Sequence, residues 1–311
     1  MICVECGHPG IEALYSKYKS DYIRLSICNQ CGMVADKYIE FDNVILFLDI
    51  LLLKPQAYRH LCYNEIESEL IQGYKQYPTT SRDSRSKLTK FWRTLASYKK
   101  IVRLMVMTIL FEVYLIWAYE EKKIDRIPTM DVILNLDVSG QYLYFILRSV
   151  SEQICFHTCL QYIFQRCFGW GHITSPNIPK ASQWGYNVAV LLVVVLVSNS
   201  VKLFPILMLI WPYDNSTNFA LFINIVGFFN TVEALRVITK CRYIGIVFAI
   251  VISTLISRLV SKALLGISIS YVSELSLGQI LQTDYLEMIS NFHEYELFVQ
   301  QLWSSVFETI E

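Results

Sequence analysis

Charge is scarce in this chain: Lys, Arg, Asp and Glu make up 17% of its 311 residues, against about 25% in soluble domains. Together with 54% hydrophobic residues, that scarcity excludes a disordered chain and argues against a wholly soluble one. Net charge is missing as well, with 27 basic and 27 acidic residues, so no overall basic excess draws the chain to phosphate polymers. Residues 263–311 contain no Lys or Arg, but they hold 7 acids. Glycine-rich phosphate loops, serine nucleophile elbows, internal repeats and low-complexity tracts are also lacking. Nor does the N-terminus carry a basic-then-apolar signal segment with a small-residue cleavage site. The head is therefore expected on the cytosolic, reducing side.

What is present begins with cysteine. The nine cysteines are an odd number, unevenly placed, and do not form a disulfide framework. Four of them make two pairs, Cys3-x-x-Cys6-Gly7 and Cys28-x-x-Cys31-Gly32, separated by 21 residues. Each pair ends in glycine, which can take the left-handed conformation that turns backbone amides toward thiolates. Four soft thiolates favour tetrahedral zinc and leave no open coordination position, so Cys3, Cys6, Cys28 and Cys31 predict a structural zinc site. A module this small is expected to depend on its metal for folding. Residues 1–40 carry 4 basic and 5 acidic side chains, too few positive charges for a nucleic-acid-binding ribbon. Cys155, His157 and Cys159 make no second site, because on a helix residue 157 points about 200° away from the other two.

Along the chain, strand-like runs at 13–18 and 22–27, joined by Lys19, Ser20 and Asp21, predict a hairpin. Val44–Leu53 is apolar apart from Asp49. As a helix it reaches about 15 Å, half a bilayer's hydrocarbon thickness, so it is either a buried core helix or an interfacial segment. Residues 73–90 hold five basic side chains and one acid among Pro, Ser, Thr and Gly, and read as a linker. Further on, apolar segments at 101–119, 142–165, 186–211, 219–235 and 243–265 predict about five membrane spans. The count falls to three or four if the second lies in the interface or the fourth does not cross.

Orientation follows the positive-inside rule. Residues 54–103 carry 11 Lys/Arg, which places the N-terminal side in the cytosol, and an odd number of crossings then puts the C-terminus in the lumen. Residues 292–310 are amphipathic with an acidic polar face. The expected domains are a head over 1–65, a basic linker over 66–100, a helical bundle over 101–265 and an acidic tail over 266–311.

The two cysteine pairs, followed by Asp36-Lys37-Tyr38-Ile39-Glu40-Phe41-Asp42-Asn43, the apolar run through Leu53, Lys54-Pro55-Gln56-Ala57-Tyr58-Arg59-His60-Leu61 and then Asn64, strongly resemble the Arv homology domain. The likeness covers about the first 65 residues. It implies a membrane protein of the endoplasmic reticulum, also linked to the Golgi, that acts in sterol and sphingolipid homeostasis, intracellular sterol movement and early glycosylphosphatidylinositol anchor synthesis. The expected partners are those lipids and subunits of a lipid-modifying membrane complex, with no nucleic acid. A lipid scramblase or transporter and a scaffold subunit are the alternative roles. The expected architecture is a small β-rich zinc ribbon built on four cysteines, followed by an α-helical multi-pass membrane bundle, similar to the Yip family by analogy of fold alone.

No residue set points to catalysis, since neither a nucleophile nor an open metal site is recognisable. Asp36, Lys37, Glu40, Asp42, Arg59 and His60 read as ion pairs and caps that hold the ribbon to the 44–53 segment. The functional alternative makes Lys54, Tyr58, Arg59 and His60 an edge that meets lipid headgroups or a partner, with Arg59 foremost. Within the spans, Glu112, Asn199 and Lys202 are the polar candidates: Glu112 and Lys202 could pair, and the group could glue helices together or receive a lipid's polar end. Arg148 and Glu152, at i and i+4, could pair with each other.

Overall fold

The computed structural model describes residues 1–18, 22–76, 98–122, 133–171, 183–200 and 216–272, with isolated positions 130, 177, 178, 278, 282 and 300. The hairpin turn at 19–21, most of the linker, Lys202 and most of the 266–311 tail, including its amphipathic stretch, lie outside the described residues. Two short strands open the chain, β1 (Tyr15–Lys17) and β2 (Ile23–Leu25). They pair antiparallel with Tyr15 opposite Leu25 and Lys17 opposite Ile23, as the two strand-like runs predict. A 3-10 turn (Lys37–Ile39) follows, capped by the Asp36 carboxylate, which accepts from the Tyr38 backbone N–H.

Helix α1 (Asn43–Leu51) occupies the apolar run. It stops where Leu53 takes a left-handed conformation at φ 56°, and Pro55 then starts α2 (Pro55–Arg59) at its first position. Proline suits that position because its missing N–H would have no partner there. A π-helical turn (His60–Glu65) and α3 (Ile66–Gln76) continue directly from α2. The helix thus extends into the segment that composition assigns to the linker, and Glu67 and Leu70 in it are buried.

Among the described residues five long helices follow: α4 (Lys99–Lys122), α5 (Val138–Arg166), α6 (Gln183–Ser198), α7 (Ser216–Thr239) and α8 (Tyr243–Val272). Each overlaps one of the five apolar segments. Over the described residues, two of them are long and apolar enough to cross a membrane, Lys99–Ala118 and Tyr243–Ile267. Helix α6 is a shorter apolar helix over the described residues, and Arg148 and Glu152 interrupt α5. On α8, Ile244, Phe248, Val251, Leu255, Leu259 and Leu264 are exposed, while Ser253, Ser257 and Ser261 are buried. Apolar groups outward and hydroxyls inward are the arrangement a lipid solvent selects.

The chain forms two compact units. The first contains Met1–Thr108, Leu160–Val201 and Gly227–Ile250. In it the cysteine-bearing head is fixed to the end of α7, to Asn177 and to the start of α4. Tyr63 Oη donates to Ile238 O at 3.1 Å, Asn177 Nδ2 donates to Glu67 Oε1 at 2.8 Å, and the same carboxylate pairs with the Met1 ammonium. Lys100 pairs with Glu65. Helix α6 is buried on nearly every side from Tyr186 to Ser198.

The second unit contains Ile109–Cys159, Lys202–Val226 and Val251–Glu311. Its described contacts join α4, α5 and α8: Trp117 stacks on Tyr142 with ring centroids 5.5 Å apart, and Ser151 Oγ meets Ser261 Oγ at 2.8 Å. The expected Arg148–Glu152 pair is not what forms. Glu152 instead faces Arg258 of α8, with 3.8 Å between Nε and Oε1, because helix packing brings that guanidinium alongside.

Candidate metal centre

Two loops of the same local construction carry the four cysteines. In the first, Cys3 N–H donates to His8 O at 3.0 Å and Gly7 N–H to Cys3 O at 2.9 Å. In the second, Cys28 N–H donates to Met33 O at 2.8 Å and Gly32 N–H to Cys28 O at 2.9 Å. Gly7 and Gly32 close these turns at φ 73° and 70°, a conformation that costs an L side chain about 1–2 kcal/mol. Val4 N–H to Ala35 O at 2.9 Å and Ala35 N–H to Ser26 O at 2.8 Å tie the loops together.

The result is a cluster of four sulfurs that all lie within 4.8 Å of one another. Cys3 Sγ and Cys31 Sγ are 3.7 Å apart, and Cys6 Sγ and Cys28 Sγ are 3.8 Å apart. Four bonds of about 2.3 Å to one tetrahedral zinc ion set sulfurs about 3.8 Å apart, so the cluster fits a single ion of that size. All nine cysteines are free thiols. Backbone N–H groups of Cys31 and Gln30 bring the Cys28 thiol down to about 7, which favours a thiolate there. Burial pushes Cys3 up to about 12, a penalty that a bound cation would reverse. The four sulfurs could hold a metal ion and would fill its coordination.

The residues after the second pair clamp this cluster from behind. Arg59 donates from Nη1 to Val4 O at 2.9 Å and to Glu5 O at 2.8 Å, both carbonyls lying between Cys3 and Cys6. The Glu5 carboxylate accepts from Lys37 Nζ at 2.8 Å and from Gln56 Nε2 at 3.1 Å, and these contacts hold it below the usual carboxylate range. Asp36, fully buried, accepts from His60 Nδ1 at 2.7 Å and from Asn64 Nδ2 at 2.7 Å on Oδ2. Asn64 also takes the Ile2 N–H on its Oδ1 at 2.8 Å and donates to Ile2 O at 3.0 Å. One buried carboxylate thus joins the turn at 37–39, the π-helical turn and the first cysteine loop.

Lys54, Tyr58, Arg59 and His60 do not form a shared exposed edge. Tyr58 and His60 are buried, Arg59 is committed to the two carbonyls, and Lys54 pairs with Asp49 at 2.7 Å. The helix from Pro55 turns three of the four side chains into the head. Asp49 sits below the usual carboxylate range, held first by Lys54 and then by the Tyr38 hydroxyl. Burial, followed by the Asp49 carboxylate, pushes the Tyr38 phenol up. In the network of Asp36, Asn64, Glu5 and Gln56 around the metal cluster, Asp36, Gln56 and Asn64 stand within the stretches that resemble the Arv homology domain and Glu5 lies inside the first cysteine pair, but their mutual bonds are seen only in the structure.

Among the membrane candidates, Glu112 Oε2 accepts from Ser149 Oγ and Gln153 Nε2, each at 3.0 Å. Asn199 Oδ1 accepts from Thr231 Oγ1 at 3.3 Å. The expected Glu112–Lys202 pair involves a residue outside those described.

Comparison with known proteins follows the same line. The model of the Arv1-like family matches residues 2–235. Protein ARV1 of Candida albicans is 42% identical over 298 residues, covering 95% of this chain and 99% of its own length. Protein ARV1 of Eremothecium gossypii is 34% identical, covering 96% of each chain. Protein ARV1 of Saccharomyces cerevisiae is 28% identical over 96% of this chain and 100% of its own. No solved structure matches the chain. A four-cysteine head with its clamp, two candidate membrane-spanning helices and a family match across both head and helices agree: this chain belongs to the Arv1-like family.

Proposed function

We propose that this chain is a non-enzymatic, multi-pass protein of the endoplasmic reticulum membrane, present also in the Golgi, that serves sterol homeostasis and intracellular lipid movement. In this reading it also supports sphingolipid metabolism and glycosylphosphatidylinositol anchor synthesis. The observation that carries it is the Arv1-like match over residues 2–235, which covers the head together with the helices as far as α7. The metal is zinc: four mutually close thiolates suit its tetrahedral preference and leave no position for a reacting water. The head is then a stabilised docking piece for the helices, and lipids or subunits of a lipid-modifying complex are its partners.

Five crossings belong to the reading. Its support is that α4, α5, α6, α7 and α8 each overlap one of the five apolar segments of the sequence. Residues 54–103, with 11 Lys/Arg, and Arg236, Lys240 and Arg242 fall on the head side, which the positive-inside rule makes cytosolic. The fifth crossing leaves the C-terminus in the lumen.

The test is expression in a yeast strain lacking its own ARV1 protein. Restored sterol distribution and glycosylphosphatidylinositol intermediates, lost again with Cys28→Ser, are expected. Unchanged lipid defects with normally folded, membrane-inserted protein would overturn the reading, as would purified protein that converts a lipid into a product. Accelerated lipid exchange between leaflets in vesicles holding only this protein would make it a scramblase instead.

A further inference from the structure

Helix α1 is built the wrong way round for a helix on a water-soluble head. At 100° per residue, Leu46, Asp49 and Ile50 share an inner arc, and Phe47, Leu51, Val44, Leu48, Leu52 and Ile45 share the outer one. Asp49 and Ile50 are buried, while Val44, Ile45, Phe47, Leu48 and Leu52 are exposed, Val44 and Leu52 to 67% and 68%. The sequence left open a buried core helix, and the exposed outer arc excludes it. The one ionisable group of α1, Asp49, points inward to Tyr38 Oη and Lys54 Nζ. Every group on the outer arc is hydrocarbon. An exposed face of this kind marks a surface that meets another apolar phase.

What covers it follows from where the head is held. The head shares one compact unit with parts of the long helices, and bonds to α7 through Tyr63 and Ile238, to Asn177 through Glu67, and to α4 through Glu65 and Lys100. It is therefore anchored against the start of α4 and the end of α7. A protein partner would be expected to meet hydrogen-bonding groups within so large a face, and the outer arc offers none. Nine residues span about 14 Å, too little to cross hydrocarbon of about 30 Å, so the helix must lie along the surface.

We propose that α1 is an interfacial helix lying in the cytosolic leaflet, with Val44, Ile45, Phe47, Leu48 and Leu52 on the acyl chains and the Lys54 ammonium at headgroup level. The proposal rests on the reading of the chain as membrane-spanning with a cytosolic head, and it adds a second attachment. The metal-clamped module is seated on the bilayer by α1 as well as bonded to α4 and α7, which fixes its tilt over the membrane. The lipid class it contacts is the zwitterionic or neutral interface, since the outer arc carries no basic residue to select anionic headgroups.

The experiment uses the full chain in phosphatidylcholine nanodiscs, with p-benzoylphenylalanine replacing Phe47 or Leu48 and, as polar exposed controls, Lys17 or Glu40. Photolysis is expected to give lipid adducts at 47 and 48 several-fold above those at 17 and 40. A Val44→Gln, Leu48→Gln double variant, altering only exposed positions, should lower the adducts at 47 several-fold with metal content unchanged. Protein adducts in place of lipid, or equal lipid capture at all four positions, would overturn the proposal. The probe placed at Leu259 on α8 separates the two readings. Lipid capture there without capture on α1 defeats the interfacial helix alone, and failure at both places defeats the membrane-spanning reading with it.

Discussion

Tyr38 donates its hydroxyl to Asp49 Oδ2 at 2.8 Å, and this contact sets which way α1 faces. Tyr38 comes from the turn behind the second cysteine pair, and Asp49 is the only acid of α1. With Lys54 on the other carboxylate oxygen, the bond pulls one side of the helix onto the head and commits the opposite, apolar side outward. Tyr38→Phe should therefore leave the ring packing against Phe41 and His60 but lower the stability of the head by about 1.5–3 kcal/mol, as for a lost hydrogen bond to a charged group. Denaturant unfolding followed by tyrosine absorbance checks it, and no change would mean that the contact does not orient α1.

Asp36 is the junction of the head. Asp36→Ala strands the His60 and Asn64 donors in a buried site, at about 1–3 kcal/mol for each donor left unpaired. The expected outcome is a head that holds metal more weakly and unfolds earlier on heating. Asp36→Asn, which keeps an acceptor oxygen, should fall between parent and Ala. Competition with a chromophoric chelator reads the metal affinity.

Arg59 holds two carbonyls of the first cysteine loop with one guanidinium nitrogen. Lys at this position keeps the charge but lacks the planar fork, so Arg59→Lys should cost about 1–3 kcal/mol and speed metal release. The release rate measured with excess chelator is the direct readout, and an unchanged rate would show that the clamp is dispensable.

Gly32 has no neighbour within 4 Å of where a Cβ would sit, but its φ is +70°. Gly32→Ala is thus expected to cost about 1–2 kcal/mol from backbone strain alone, with the four-sulfur geometry retained. Gly7→Ala should behave similarly, because the added carbon would meet Arg59 Nε only at 3.7 Å. Thermal unfolding of each variant beside the parent reads the cost.

The parts of this fold that sequence reveals are those with local causes. Two Cys-x-x-Cys-Gly turns announce the four sulfurs, the strand-like runs at 13–18 and 22–27 announce the hairpin, and each long helix overlaps an apolar segment. The hidden parts depend on tertiary contact. Asp49 looks like an interruption in an apolar run, and only the distant Tyr38 and Lys54 show that it is the inward side. Arg59 leaves two readings open in the sequence, a cap on the ribbon or a cation for phosphate, and its carbonyl partners, Val4 and Glu5, fit the first. Glu152 has Arg148 one turn away, yet it faces Arg258 on another helix, because helix packing outranks sequence spacing.

The account stands or falls on the metal, and the direct measurement is zinc per chain in the full-length protein purified in detergent, with hydrogen exchange of residues 1–65 before and after chelation. One zinc per chain is predicted, with protection across Cys3, Cys28 and the Asp36 junction lost together when the ion is withdrawn. A head that keeps its protection with no metal bound, or cysteines found joined to one another, would contradict it.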